Sequence, residues 1–176
     1  MTGWFGVITN ILVIALLAVA VYTDIRFGKI YNKVTLPCLA LGLAFNAAHS
    51  GLPGLVSSLG GVLVVLIPFL LFASVGAIGG GDIKLMMAVG ALKGFEFTIW
   101  AVLFGMVLGG VLALTAAFRH GIVLVTLRNI VLSMSLRRIL GARAEMVTSP
   151  KQLKVKYSLA IAAGVVIALL KVPGRI

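Results

Sequence analysis

Two long stretches of this chain carry no charged side chain, residues 1–23 and residues 34–81, and a third covers residues 97–118. In lipid no water pairs with backbone amides and carbonyls, so a spanning segment must close its own hydrogen bonds as a helix or within a closed barrel. About 20 apolar residues are needed for a helix to cross the hydrocarbon. These runs are continuous rather than alternating, which selects helices over barrel strands. The whole chain agrees: 61% of its 176 residues are hydrophobic, 11% are charged, and the mean hydropathy is +1.21. A soluble domain would be about half apolar and about a quarter charged.

The expected fold is all-α, a polytopic integral membrane bundle of about six transmembrane helices forming one domain over residues 1–176. The apolar runs place these helices at about 4–23, 34–49, 55–78, 82–93, 97–118 and 157–170. The fourth is too short to cross unaided and is expected to be re-entrant, tilted or continued towards Phe97. Gly51–Gly54 with Pro53 read as a turn, Pro68 predicts a kink, and Gly79–Gly81 predict a break. No basic segment precedes the first run, so it does not have the pattern of a cleavable signal peptide. Residues 121–140 alternate apolar residues with sparse Arg. They are expected to form an amphipathic helix lying in the interface between the fifth and sixth spans; a seventh span, with Arg128 near its middle, is the alternative.

The net charge of +11 sits in the gaps between apolar runs. There it faces anionic lipid headgroups, and nucleic acid is not an expected partner. Twelve of the 15 Lys and Arg residues fall on one side of a six-span arrangement, within 26–33, at Lys84 and within 119–156. Lys93, Lys171 and Arg175 fall on the other. Positive charge accumulates on the cytoplasmic side, so the first side is expected to be cytoplasmic. The single cysteine, Cys38, excludes an internal disulfide and a Cys-rich zinc site. No metal or cofactor is expected.

The chain has four acidic residues, and its two aspartates, Asp24 and Asp82, each stand where a long uncharged run ends. Taking a carboxylate out of water at a membrane border is costly, which marks a functional-site candidate. In this topology both lie at the cytoplasmic surface. Amide hydrolysis by two carboxylates needs one to take a proton from the attacking water. The other donates a hydrogen bond to the scissile carbonyl. Two carboxylates at close range do not both ionise easily, which favours a shared proton. Gly79, Gly80 and Gly81 before Asp82 would let a peptide approach closely. Taken singly, Asp24 also reads as a solvated loop residue and Asp82 as a helix cap.

The segment Gly79-Gly80-Gly81-Asp82-Ile83-Lys84-Leu85-Met86 resembles the GxGD-x-K segment of the prepilin peptidases, also called type IV leader peptidases. Tyr22-Thr23-Asp24-Ile25-Arg26, followed by Lys29-Ile30-Tyr31-Asn32, is similar to that family's first-aspartate segment. The resemblance covers about residues 20–94 by motif. GxGD alone is shared with presenilin and signal-peptide-peptidase enzymes. Tyr31 stands where the family usually has Pro. The chain resembles the short forms that serve tight-adherence (Flp-type) pili and lack the N-terminal cysteine-rich and methyltransferase segment.

The resemblance implies an aspartic prepilin peptidase, a hydrolase with Asp24 and Asp82 as its catalytic pair. Its place would be the bacterial cytoplasmic (inner) membrane, multi-pass, with the active site facing the cytoplasm. Prepilins or pseudopilins are the implied substrates, the lipid bilayer its surroundings, and the pilus assembly machinery a partner. Gly79, Gly80 and Gly81 would shape the substrate cleft. Lys84 would stabilise negative charge near the pair or snorkel to the interface, and Asn32 would orient the first-aspartate loop or cap the second helix. Lys29 is among the basic residues placed to meet an acidic residue of the mature pilin. The rival readings are a non-catalytic membrane subunit of a pilus or secretion assembly, and a small ion-coupled transporter.

The charge distribution makes a direct prediction. Reporters fused after His49 and after Lys171 are expected to report the periplasm, and a fusion within 143–154 the cytoplasm. The reverse pattern would put both aspartates on the wrong face for leader cleavage.

Overall fold

The computed structural model describes residues 3–74, 78–119 and 157–171. Four helices run in order through them: α1 (Trp4–Phe27), α2 (Asn32–Ser74), α3 (Gly80–Arg119) and α4 (Tyr157–Lys171). The chain divides into two compact units. One comprises Met1–Gly109 with Lys156–Ile176, and the other Gly110–Val155. Within the second, residues 110–119 are described and are helical. The expected amphipathic segment at 121–140 lies outside the described residues.

Three of the helices contain windows long and apolar enough to cross a membrane, and α4 is a shorter apolar helix. Only 28% of each of those three windows is buried inside the protein. The outward side chains are still apolar, including Trp4, Ile11, Val56, Ile67, Val107 and Leu114. Helices apolar on every face suit lipid, not water. The protein is a helical membrane protein.

Glycine divides two of the helices. Gly51 (φ 62°, ψ −142°) interrupts α2, and Gly94 (φ 77°, ψ −175°) interrupts α3. A positive φ is the conformation that glycine adopts without a side-chain penalty. In a straight helix Gly42 and Gly61 would be about 28 Å apart. Instead both pack on the same short stretch of α3. A Cβ on Gly42 would lie 2.7 Å from the Ala91 carbonyl carbon, and one on Gly61 would strike the Gly90 carbonyl. α2 therefore folds back at Gly51. Pro53 falls in the opening turn of the second arm, where a missing amide proton is harmless. The expected turn is thus made by Gly51 alone, with no loop at 51–54. Pro68 stands inside the helix without taking the backbone out of helical dihedrals.

The first arm of α3, residues 80–93, is the centre of the bundle. Leu85, Met86, Ala88, Val89 and Ala91 are all 0% exposed. This explains why the apolar run at 82–93 is so short: other helices surround it. It is not continued straight to Phe97, because Gly94 breaks it. Nor do Gly79–Gly81 all precede the helix, since α3 begins at Gly80 and takes Gly81 and Asp82 into its first turn. Buried Thr9, Val13, Leu16, Leu17 and Ala20 form the inner stripe of α1.

A broken helix leaves carbonyls without partners, and here side chains from the α2 hairpin supply them. Asn46 Nδ2 donates to the carbonyls of Ala91 (2.9 Å) and Leu92 (3.2 Å), besides that of Gly42 (3.0 Å). Ser58 Oγ donates to the Ala91 carbonyl at 2.8 Å. Beyond the break, the Phe95 amide donates to Ser57 Oγ at 3.2 Å, and Thr98 Oγ1 donates to the Gly94 carbonyl at 2.5 Å. Lys93 ends the arm at 5% exposure, a cation at a helix C-terminus. Its Nζ donates to Asn10 Oδ1 at 2.8 Å and lies 5.0 Å from the Phe97 ring centroid. The charge count had placed Lys93 in an outer loop, whereas it faces the interior of the bundle.

The second arm of α3 packs against α4 glycine on glycine. A Cβ on Gly164 would stand 2.5 Å from the Gly105 amide nitrogen, and one on Gly109 would touch the Tyr157 ring at 3.5 Å. Gly164→Val is therefore expected to force the helices apart and destabilise the protein by about 1–3 kcal/mol. Thermal unfolding in detergent micelles measures this; an unchanged midpoint would refute the close contact.

Candidate active site

Asp24 lies in the last turn of α1. Gly28 ends that helix in the left-handed conformation (φ 64°, ψ 25°), and its amide donates to the Asp24 carbonyl at 3.0 Å. The chain then turns through Lys29, Ile30 and Tyr31 into α2. The Tyr31 carbonyl accepts the amides of Val34 (3.0 Å) and Thr35 (3.3 Å) and so starts the helix. The Tyr31 ring meets Phe27 edge-on at 6.2 Å.

Asp82 arrives from the other direction, in the first turn of α3. Its amide donates to the Gly79 carbonyl at 3.1 Å. An acid in a helix's first turn faces unpaired amides and the positive end of the dipole. Although 58 residues apart in sequence, Asp24 and Asp82 line one cavity of about 390 Å³. Its other walls are the 28–31 turn, Asn32, Gly79 and Gly81. The two carboxyl groups are near enough to interact electrostatically.

The remaining sequence-derived candidates divide clearly. Lys29, Asn32, Gly79 and Gly81 line the cavity, and Gly80 and Lys84 do not. Lys84 Nζ donates instead to Asn32 Oδ1 at 3.0 Å, tying the start of α2 to the first turn of α3. None of the three glycines at 79–81 has a positive φ, so space rather than conformation accounts for those at the cavity. A Cβ on Gly81 would lie 3.0 Å from Ile30 Cβ, and one on Gly79 would lie 3.2 Å from Asp82 Oδ2. A Cβ on Gly80 would meet nothing within 4 Å. Among the described residues, no three His, Cys, Asp or Glu side chains come together to ligate a metal ion.

One group at the site was not anticipated. Ser158, in the first turn of α4, donates its hydroxyl to Asp24 Oδ2 at 2.5 Å. The neighbouring Tyr157 is half-buried and lies within the field of Asp82. A signal existed: both polar residues open the last apolar run, on the side where charge places the aspartates. Nothing periodic distinguishes them from other border residues.

An all-helical membrane bundle with two carboxylates and closely packed glycines around one cavity defines a class, that of polytopic membrane proteins with a paired-carboxylate site. Within it the assignment is specific. Residues 11–114 match the type IV leader peptidase family, and the chain belongs to it. A relative, the prepilin leader peptidase/N-methyltransferase of Bacillus subtilis (strain 168), is 31% identical over 99 residues. The match covers 54% of this chain and 39% of the relative's length. No solved structure matches the chain at a significant level.

The glycine geometry separates two neighbouring positions. Gly80→Ala adds a methyl in open space to a helical residue and is expected to stabilise by about 0.5–1 kcal/mol. Gly81→Ala pushes on Ile30 and is expected to cost roughly 1 kcal/mol net. Thermal midpoints of the two variants test this; the same shift in both would refute it.

Proposed function

We propose that this chain is an intramembrane aspartyl endopeptidase that removes the leader peptide from type IV prepilins and pseudopilins at the cytoplasmic face of the bacterial inner membrane. The observation that carries the reading is the convergence of Asp24 and Asp82 on one cavity from two separate helices. Family membership supports the same chemistry.

In the proposed reaction a water is held between the two carboxyl groups. The ionised member takes a proton as the water attacks the scissile carbonyl. The protonated member donates a hydrogen bond to the carbonyl oxygen and stabilises the tetrahedral intermediate. Collapse of that intermediate passes a proton to the departing amine, and the pair returns to one proton shared between two groups. Gly79 and Gly81 keep side chains out of the space an extended peptide would occupy. Lys29, on the cavity wall, is positioned to meet an acidic residue of the mature pilin. Lys84 acts through Asn32 by holding the two aspartate-bearing segments together.

The reading takes α1, the two arms of α2, the two arms of α3, and α4 as six transmembrane segments. With the basic residues inside, both aspartates lie at the cytoplasmic border, where a basic leader ends and a pilin's apolar helix begins. The surrounding partner is the lipid bilayer, and the pilus assembly machinery receives the product.

Asp24→Asn and Asp82→Asn preserve shape and remove the acid. Each is expected to lower prepilin cleavage at least about a hundredfold while the protein still accumulates in the membrane. Substantial cleavage by either purified variant would overturn the aspartyl reading and return the subunit and transporter readings to consideration.

A further inference from the structure

Ser158 is 0% exposed and lies in the first turn of α4. A buried hydroxyl must find a partner. Ser158, the second residue of its helix, donates to Asp24 Oδ2 at 2.5 Å, across 134 residues of chain. The helix that carries it is held firmly. Gly164 packs on the Gly105 backbone, and the Tyr157 ring covers Gly109. Ala160, Ile161, Val165 and Ala168 are buried below. The hydroxyl is thus delivered from a rigid support to one chosen carboxylate oxygen, as a positioning group requires.

We infer that Ser158 is a positioning residue for peptide hydrolysis, holding Asp24 by Oδ2 so that Oδ1 is presented to the reacting water. The inference rests on the aspartyl reading above. Ser158 gains and loses no covalent bond; it keeps its proton and donates the same hydrogen bond throughout. Its effect is orientation: a carboxyl group free to rotate about its terminal bond spends less time in the reactive geometry. That loss falls on the chemical step and leaves substrate binding in place.

The test uses the full chain in detergent micelles with a purified prepilin. Steady-state kcat and KM are measured for wild type, Ser158→Ala, Ser158→Thr and Asp24→Asn. Ser158→Ala is expected to lower kcat on the order of tenfold. Its KM should stay within about twofold of wild type, as for a group acting on the chemical step. Ser158→Thr, which keeps the hydroxyl, is expected to retain kcat within about threefold. Where Ser158→Ala fails to accumulate, Ser158→Gly removes the hydroxyl without adding volume, and the same loss is expected. A wild-type kcat without the hydroxyl overturns the inference. So does an equal loss in the Ala and Thr variants, or a raised KM at unchanged kcat. If Asp24→Asn is inactive while Ser158→Ala matches wild type, only this inference fails. If Asp24→Asn still cleaves, the parent reading fails first.

Discussion

The bundle depends on how it closes the hydrogen bonds of a helix broken in its buried core. Gly94 ends the central arm of α3 and leaves its last carbonyls buried without helical partners. Unpaired backbone groups there cost several kcal/mol each. Asn46 and Ser58 cap Ala91 and Leu92, and Ser57 takes the Phe95 amide. All three side chains flank the Gly51 fold of α2. One break is therefore completed by residues beside another. This is why polar side chains sit deep among apolar ones.

From that junction the rest of the geometry follows. The capped arm of α3 is fixed along its length by buried Leu85, Met86, Val89 and Leu92. Asp82 is fixed at its other end. Val13, Leu16, Leu17 and Ala20 set α1 in the same core, which brings Asp24 to the same level. Close approach then depends on missing side chains: Gly42 and Gly61 admit the central arm, and Gly81 admits Ile30. The Lys84–Asn32 bond closes the gap between the two aspartate-bearing segments. The cavity lies where helix ends meet: helices carry the two aspartates, and the 28–31 turn and Gly79 supply much of the wall between them.

Much of this was legible in the sequence. Uncharged runs mark where helices lie, since lipid penalises charge over the whole span. The aspartates stand out because they end such runs. The glycine break at 94 was not legible, because Lys93 and Glu96 beside it look like a loop between spans. Its helical caps come from residues more than 30 positions away, and no periodicity signals such pairing. The same holds for the Ser158–Asp24 bond, which links opposite ends of the chain. Lys84 was expected to stabilise charge near the pair or to snorkel; its bond to Asn32 was not legible, because that partner depends on where α2 begins. Gly80 shares a motif with Gly79 and Gly81, yet only geometry shows that it has room to spare.

The long separation between Asp24 and Ser158 has a consequence for biogenesis. A ribosome delivers α1 to the membrane first and α4 well over a hundred residues later. The caps on the central arm come from upstream residues, so that arm meets finished partners as it enters the bilayer. Asp24 must wait for a donor that has not yet been translated. Nascent chains can thus build the scaffold and both carboxylates while the site remains unfinished. On the peptidase reading proposed above, the carboxylate pair gains its last hydrogen-bond donor only with insertion of the last helix.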